Sequence, residues 1–121
     1  MFKEPLQQIL ENTDGSLGVL IMGTDGIAVE KVLQPEANEA NLDVAAAEFT
    51  SLVRSAQRTS NDMQLGKLNE LVISCENVNV IIRLFSQEYF IVLALGPDGN
   101  IGRGRYELRK AELRLAREFA L

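Results

Sequence analysis

Four glycines, Gly96, Gly99, Gly102 and Gly104, lie between an apolar run and a helix-forming one in GPDGNIGRGRYELRK. In that context backbone N–H groups can cradle a phosphate. The spacing completes neither known loop. Glu107 stands where a dinucleotide fingerprint needs its third glycine, and no Gly-Lys-Ser/Thr follows as a triphosphate loop requires. A plain strand-to-helix turn is therefore the reading of these glycines. Arg103 and Arg105 fall near the start of the following helix, where the helix dipole opposes a cation. They read either as anion-capturing groups, one of them an arginine finger offered to a partner's nucleotide, or as solvated surface cations. Cys75 sits in an apolar run with no histidine anywhere in the chain to activate it, so it reads as a small buried hydrophobe. The carboxylate pairs Asp25/Glu30 and Glu36/Glu39 could do acid–base work, but both fall in turns or polar connectors where solvated carboxylates are ordinary. No catalytic constellation emerges, which points to a binding or regulatory protein and not an enzyme.

Composition narrows the classes further. With no histidine and one cysteine, the commonest general base and metal ligand is missing and a thiolate cluster within one chain is impossible. No metal or cofactor is implied. The net charge of −5 argues against a general nucleic-acid binder. The charge is unevenly spread: residues 103–121 carry six Lys/Arg against three Glu, a surplus of three positive charges that leaves −8 on the rest. No apolar run approaches the roughly 20 residues of a membrane helix, and the N-terminal segment lacks the apolar core of a signal peptide. The expectation is a cytoplasmic protein without membrane or nucleic-acid partners, folded as a single domain over 1–121.

The elements that must position any site follow from periodicity. Lys3–Asn12 reads as a helix with Leu6, Ile9 and Leu10 on one face. Leu17–Met22 and Ile27–Val32 flank Gly23-Thr24-Asp25-Gly26, a strong hairpin signal. In the first of these strands Leu17, Val19 and Ile21 alternate with Leu20 and Met22, so both faces are apolar and both need covering. After the polar connector Pro35–Asn41, the longest helix begins near Asn41 as N-cap, with Asp43 in its first turn. Leu42, Ala45, Ala46, Phe49, Leu52, Val53 and Ala56 form its expected inward face and Gly66 its stop. The outer face carries Glu48, Ser51, Arg54, Ser55 and Arg58, either a wet surface or one that pairs with a copy or a partner. Leu68–Cys75, Val78–Phe85 and Tyr89–Leu95 read as an antiparallel meander, with the wholly apolar YFIVLAL at the centre of the sheet. A last helix is predicted from about Arg105 to Phe119, burying Leu108, Ala111, Leu115 and Phe119. The class is α+β.

Three stretches, GVLIMGTDGIAVE, DVAAAEFTSLVRSAQ and YFIVLALGPDGNIGRGRYELRKA, together resemble the roadblock family named after dynein light chains, most closely its bacterial members found beside Ras-like small GTPases. The resemblance spans nearly the whole chain and rests on fold-level patterns. It implies a five-stranded antiparallel sheet sandwiched between one long helix and two terminal helices, in the order helix-strand-strand-helix-strand-strand-strand-helix. It also implies a homodimer joined through the strand Leu68–Cys75, with Leu71, Ile73 and Cys75 at the joint and the long helix meeting its mate. The implied function is regulation of a Ras-like small GTPase through the polar face of the long helix (Glu48, Ser51, Arg54, Ser55, Arg58), including activation without an arginine finger. A non-catalytic dimeric scaffold is the first alternative. A small-ligand sensory domain is the second, and it would require an internal cavity.

Overall fold

The computed structural model describes residues 2–35 and 39–119, with side chains throughout except over 39–43. Glu36, and the side chains of Glu39, Asn41, Leu42 and Asp43 invoked above, lie outside the described residues. The order is α1 (Lys3–Asn12), β1 (Ser16–Gly23), β2 (Ala28–Leu33), α2 (Glu39–Asp62), β3 (Glu70–Ser74), β4 (Asn79–Leu84), β5 (Tyr89–Leu95) and α3 (Ile101–Glu118). The five strands form one antiparallel sheet in the order β2-β1-β5-β4-β3. The all-apolar β5 takes the central position that its sequence demands.

The central strands β1, β5 and β4 are buried on both faces, as the two-sided pattern of β1 requires. Val19 and Ile21 from β1, Ile81 from β4 and Ile91, Leu93 and Leu95 from β5 pack with Leu6 and Ile9 of α1 and Leu108 and Leu115 of α3. The alternate residues Leu20, Met22, Val80, Ile82, Phe90 and Val92 pack on the other face with Ala46 and Val53 of α2. Register makes the layers coherent. Val92 is paired with Leu20 on one side and Ile82 on the other, so three branched side chains form one row under α2.

Local chemistry sets the turns. Between β1 and β2 the Asp25 carboxylate accepts from the Ile27 N–H at 3.0 Å, and Gly26 takes φ +92°. At the other end of the molecule the α1–β1 and β5–α3 turns are tied together: the Gly96 N–H donates to the Gly15 carbonyl at 2.8 Å and the Asn100 N–H to the Asp14 carbonyl at 3.3 Å.

Three expectations are corrected. The closing helix starts at Ile101, a turn earlier than expected, because the Asn100 side chain accepts from the Arg103 N–H at 2.9 Å and caps it there. Gly102 and Gly104 are thus helical, not turn residues. Gly104 is needed for close packing: a Cβ there would lie 2.9 Å from both Ile81 and Leu93 side chains. The long helix ends at Asp62, with Gln64 at φ +57° closing a bond from the Leu65 N–H to the Ser60 carbonyl at 2.8 Å, so Gln64 and not Gly66 stops it. Cys75 lies one residue beyond β3 and is exposed, not buried.

Candidate protein–protein interface

The inward stripe of α2 is Ala46, Thr50, Val53 and Ser60, all buried, at spacings of three, four and seven. These are small or short side chains, and Thr50 satisfies its buried hydroxyl by donating to the Ala46 carbonyl at 2.9 Å. The helix can therefore approach the sheet closely but covers it narrowly. Leu52, expected on this inward face, is 47 % exposed, because the stripe running through Val53 rotates it outward. Val44, at i−8 from Leu52, is exposed as well. The polar residues behave as their spacing requires: Glu48, Ser51, Arg54, Ser55 and Arg58 are all exposed. The outer surface of α2 is thus a polar field with Val44 and Leu52 set into it. Those two apolar residues were missed because a seven-residue apolar count includes Leu52 by similarity of type; the four-residue step from Val44 through Glu48 to Leu52 was the available signal.

Beside α2 lies the sheet edge. β3 pairs with β4 on one side and, among the described residues, with no strand on the other. Leu71 and Ile73 point to the α2 face, where with Phe49, Leu68 and Val78 they are only half-buried against the second core. Val72 points to the opposite face and is exposed, as is Cys75 past the strand end. Half-covered apolar side chains on an open edge are what natural sheets avoid unless something covers them. Leu71 and Ile73 thus share one face, while Cys75 stands outside the ladder.

Arg103 and Arg105 are exposed surface side chains, as one of the two expectations had them, and each is held in an ion pair. Arg105 makes a forked contact with Glu70 on β3, with Nη2 at 2.7 Å and Nε at 3.0 Å from Oε2. The Glu70 carboxylate, through its hydrogen bonds first and its charge second, holds the Arg105 pKa above its usual value. Arg103 lies 2.7 Å from the carboxylate of Glu107, which is buried in spite of its charge. Neither arginine is a free solvated cation, and neither is available as a finger without breaking an ion pair. Asp25 is engaged in its own turn, so the Asp25/Glu30 pair is not assembled for acid–base work. Among the described residues no three potential metal ligands cluster, and no helix is long and apolar enough to cross a membrane.

A surface groove of about 730 Å³ opens where α2 ends and the chain re-enters the sheet. Gln57, Arg58, Asn61, Lys67, Asn69 and Gln87 are among its lining residues. It is open and polar, unlike the enclosed apolar cavity that a small-ligand sensor would use.

The chain is a three-layer α+β sandwich with one long helix on one face of the sheet, two terminal helices on the other and a half-covered apolar edge strand. Against solved structures, the chain is 33 % identical to MglC from Myxococcus xanthus, covering 97 % of this chain and 98 % of that one with a TM-score of 0.70. It is 21 % identical to MglB in a tetrameric arrangement, over 98 % and 89 % of the two chains at a TM-score of 0.86. A Roadblock/LC7 domain from Streptomyces avermitilis shares 10 % identity over 96 % and 94 % at 0.82, a likeness of fold alone. No protein-family model and no curated protein sequence matches. The chain belongs to the roadblock family.

Proposed function

We propose that this protein is a regulator of a Ras-like small GTPase that acts by protein–protein contact, as a homodimer joined at β3, and carries out no chemistry of its own. One observation carries the reading. The exposed outer face of α2 (Glu48, Ser51, Arg54, Ser55, Arg58, with Val44 and Leu52) adjoins an open edge strand whose Leu71 and Ile73 are half-covered. Pairing of β3 with its copy would finish the sheet edge, cover those side chains and bring two α2 faces side by side as one composite surface. The likeness to MglC and MglB supports the same class.

The commitment of Arg103 and Arg105 to Glu107 and Glu70 favours a regulator that repositions the GTPase's own groups over one that donates an arginine. It equally suits a scaffold that binds without altering hydrolysis. Single-turnover GTP hydrolysis by a Ras-like small GTPase from the same organism, with and without this protein, separates the two. Acceleration of about tenfold, or about 1.4 kcal/mol off the barrier, makes it an activator. Saturable binding with unchanged hydrolysis makes it a scaffold. Absence of binding in both nucleotide states refutes the reading.

A further inference from the structure

We infer that the outer face of α3 is a second docking surface, for an acidic amphipathic segment of a partner protein. This inference stands apart from the α2 reading and does not depend on it. α3 buries Gly104, Leu108, Ala111 and Leu115. A second stripe, Arg103, Tyr106, Lys110, Leu113 and Arg117, runs along its exposed side at alternating steps of three and four, with Arg109 beside it. Tyr106 is 48 % exposed and Leu113 71 % exposed. The apolar positions therefore alternate with cations along about four turns, a pattern that a plain solvated helix face has no need of.

The cations outnumber the acids, and the acids are already engaged. Glu107 is buried between Arg103 and Lys110, Glu112 contacts Arg83 at 2.6 Å, and Glu118 lies 3.7 Å from Arg114. Arg109 and Arg117 contact no carboxylate among the described residues. Tyr106 is held in place by the cations on either side, with the Arg103 guanidinium carbon 5.2 Å and the Lys110 ammonium 5.9 Å from its ring centroid. An exposed aromatic fixed between cations loses little side-chain freedom on binding, which suits an anchor residue.

Charge decides the occupant. A second copy packed α3 on α3 would set like charges against each other. An anionic membrane would attract the stripe but would meet the −8 of the remaining chain, and the stripe has no tryptophan or phenylalanine to enter a bilayer. A helix with apolar residues at three- and four-residue spacing, flanked by Glu or Asp, matches both the anchors and the cations and needs only this one face.

The test uses a fluorescently labelled synthetic helix with leucines at that spacing flanked by glutamates, a scrambled peptide of the same composition, and phosphatidylglycerol-containing vesicles. Anisotropy titrations against the full chain are expected to show saturable binding of the patterned peptide, and binding of the scrambled one weakened by about tenfold. Arg109→Glu/Arg117→Glu should weaken binding about tenfold, since each reversed rim charge removes an attraction and adds a repulsion. Leu113→Ser should weaken it several-fold at unchanged net charge. Lys3→Glu/Lys67→Glu, which changes net charge equally elsewhere, should bind like the wild type; all of these side chains are exposed, and circular dichroism verifies folding. The proposal is overturned by no saturable binding at about 1 mM, by equal affinity for patterned and scrambled peptides, by variants indistinguishable from the wild type, or by vesicle binding that competes the peptide away.

Discussion

Replacing Gly15 by alanine isolates two physical penalties at a junction that holds both chain crossings at one end of the sheet. Gly15 has φ +81°, where an L side chain is strained by roughly 1–2 kcal/mol. An added Cβ would also lie 2.7 Å from the Gly99 Cα, a backbone atom that cannot swing aside. Forced overpacking of this kind costs about 1–3 kcal/mol, and the stiffer unfolded chain returns about 0.4–1 kcal/mol. The net is a loss of about 2–4 kcal/mol, or roughly 10 °C in Tm for a chain of this size. Because the Gly15 carbonyl accepts from Gly96, displacing it also loosens the entry to α3. Gly26→Ala is the matched control: its φ of +92° is as unfavourable, but nothing lies within 4 Å of the new Cβ, so only about 1 kcal/mol is lost. Urea melts of the two variants, read by circular dichroism, give the steric part as their difference. Equal midpoints for Gly15→Ala and Gly26→Ala would show that the close approach to Gly99 does not exist.

Other consequences follow from the packing. Leu71→Asp or Ile73→Asp should turn a sedimenting dimer into a folded monomer, since either places a charge where β3 would meet its copy; a dimer that persists in both variants removes β3 from the joint. The Phe119 ring stacks on Phe2 at 4.5 Å and meets Tyr89 at 4.7 Å and the edge-on Phe85 at 5.2 Å between centroids, linking both terminal helices to the β4–β5 turn. Phe119→Ala should therefore cost about 2 kcal/mol of stability, a half-buried aromatic giving less than the full core value, and an unchanged melt would refute the cluster. Arg105→Ala removes an exposed ion pair and should leave the melting temperature unchanged in 0.5 M salt, where screening hides such pairs; a marked loss there would mean the Glu70 contact is structural.

How far the sequence carried depends on whether a feature is local. The two-faced apolar pattern of β1 and the uninterrupted apolar run of β5 announced a sheet covered on both sides, and the Asp-Gly turn announced the hairpin. The pairing of β1 with β5 is not local: about 70 residues separate them, and no periodicity states which strand β1 will join. The start of α3 was hidden because Gly102 and Gly104 carry turn chemistry. What reverses it is Asn100 as a cap and the crowding of Gly104 against Ile81 and Leu93, a tertiary demand. For the candidate interface, the polar face of α2 was visible as spacing. The outward rotation of Leu52 and the half-coverage of Leu71 and Ile73 depend on how closely a helix with a small-residue inner stripe settles on the sheet. Arg103 and Arg105 were visible as charges, but the carboxylates that occupy them come from α3's own buried side and from β3.

The proposed regulator would dock its GTPase on the outer face of α2. Calorimetric titration of a Ras-like small GTPase from the same organism, loaded with GDP or a non-hydrolysable GTP analogue, into the wild type and into Arg54→Glu/Arg58→Glu tests this docking. Saturable binding is expected that prefers one nucleotide state and weakens about tenfold or more in the variant, with its fold and oligomeric state unchanged. Equal affinity of wild type and variant, or no binding in either state, would contradict it.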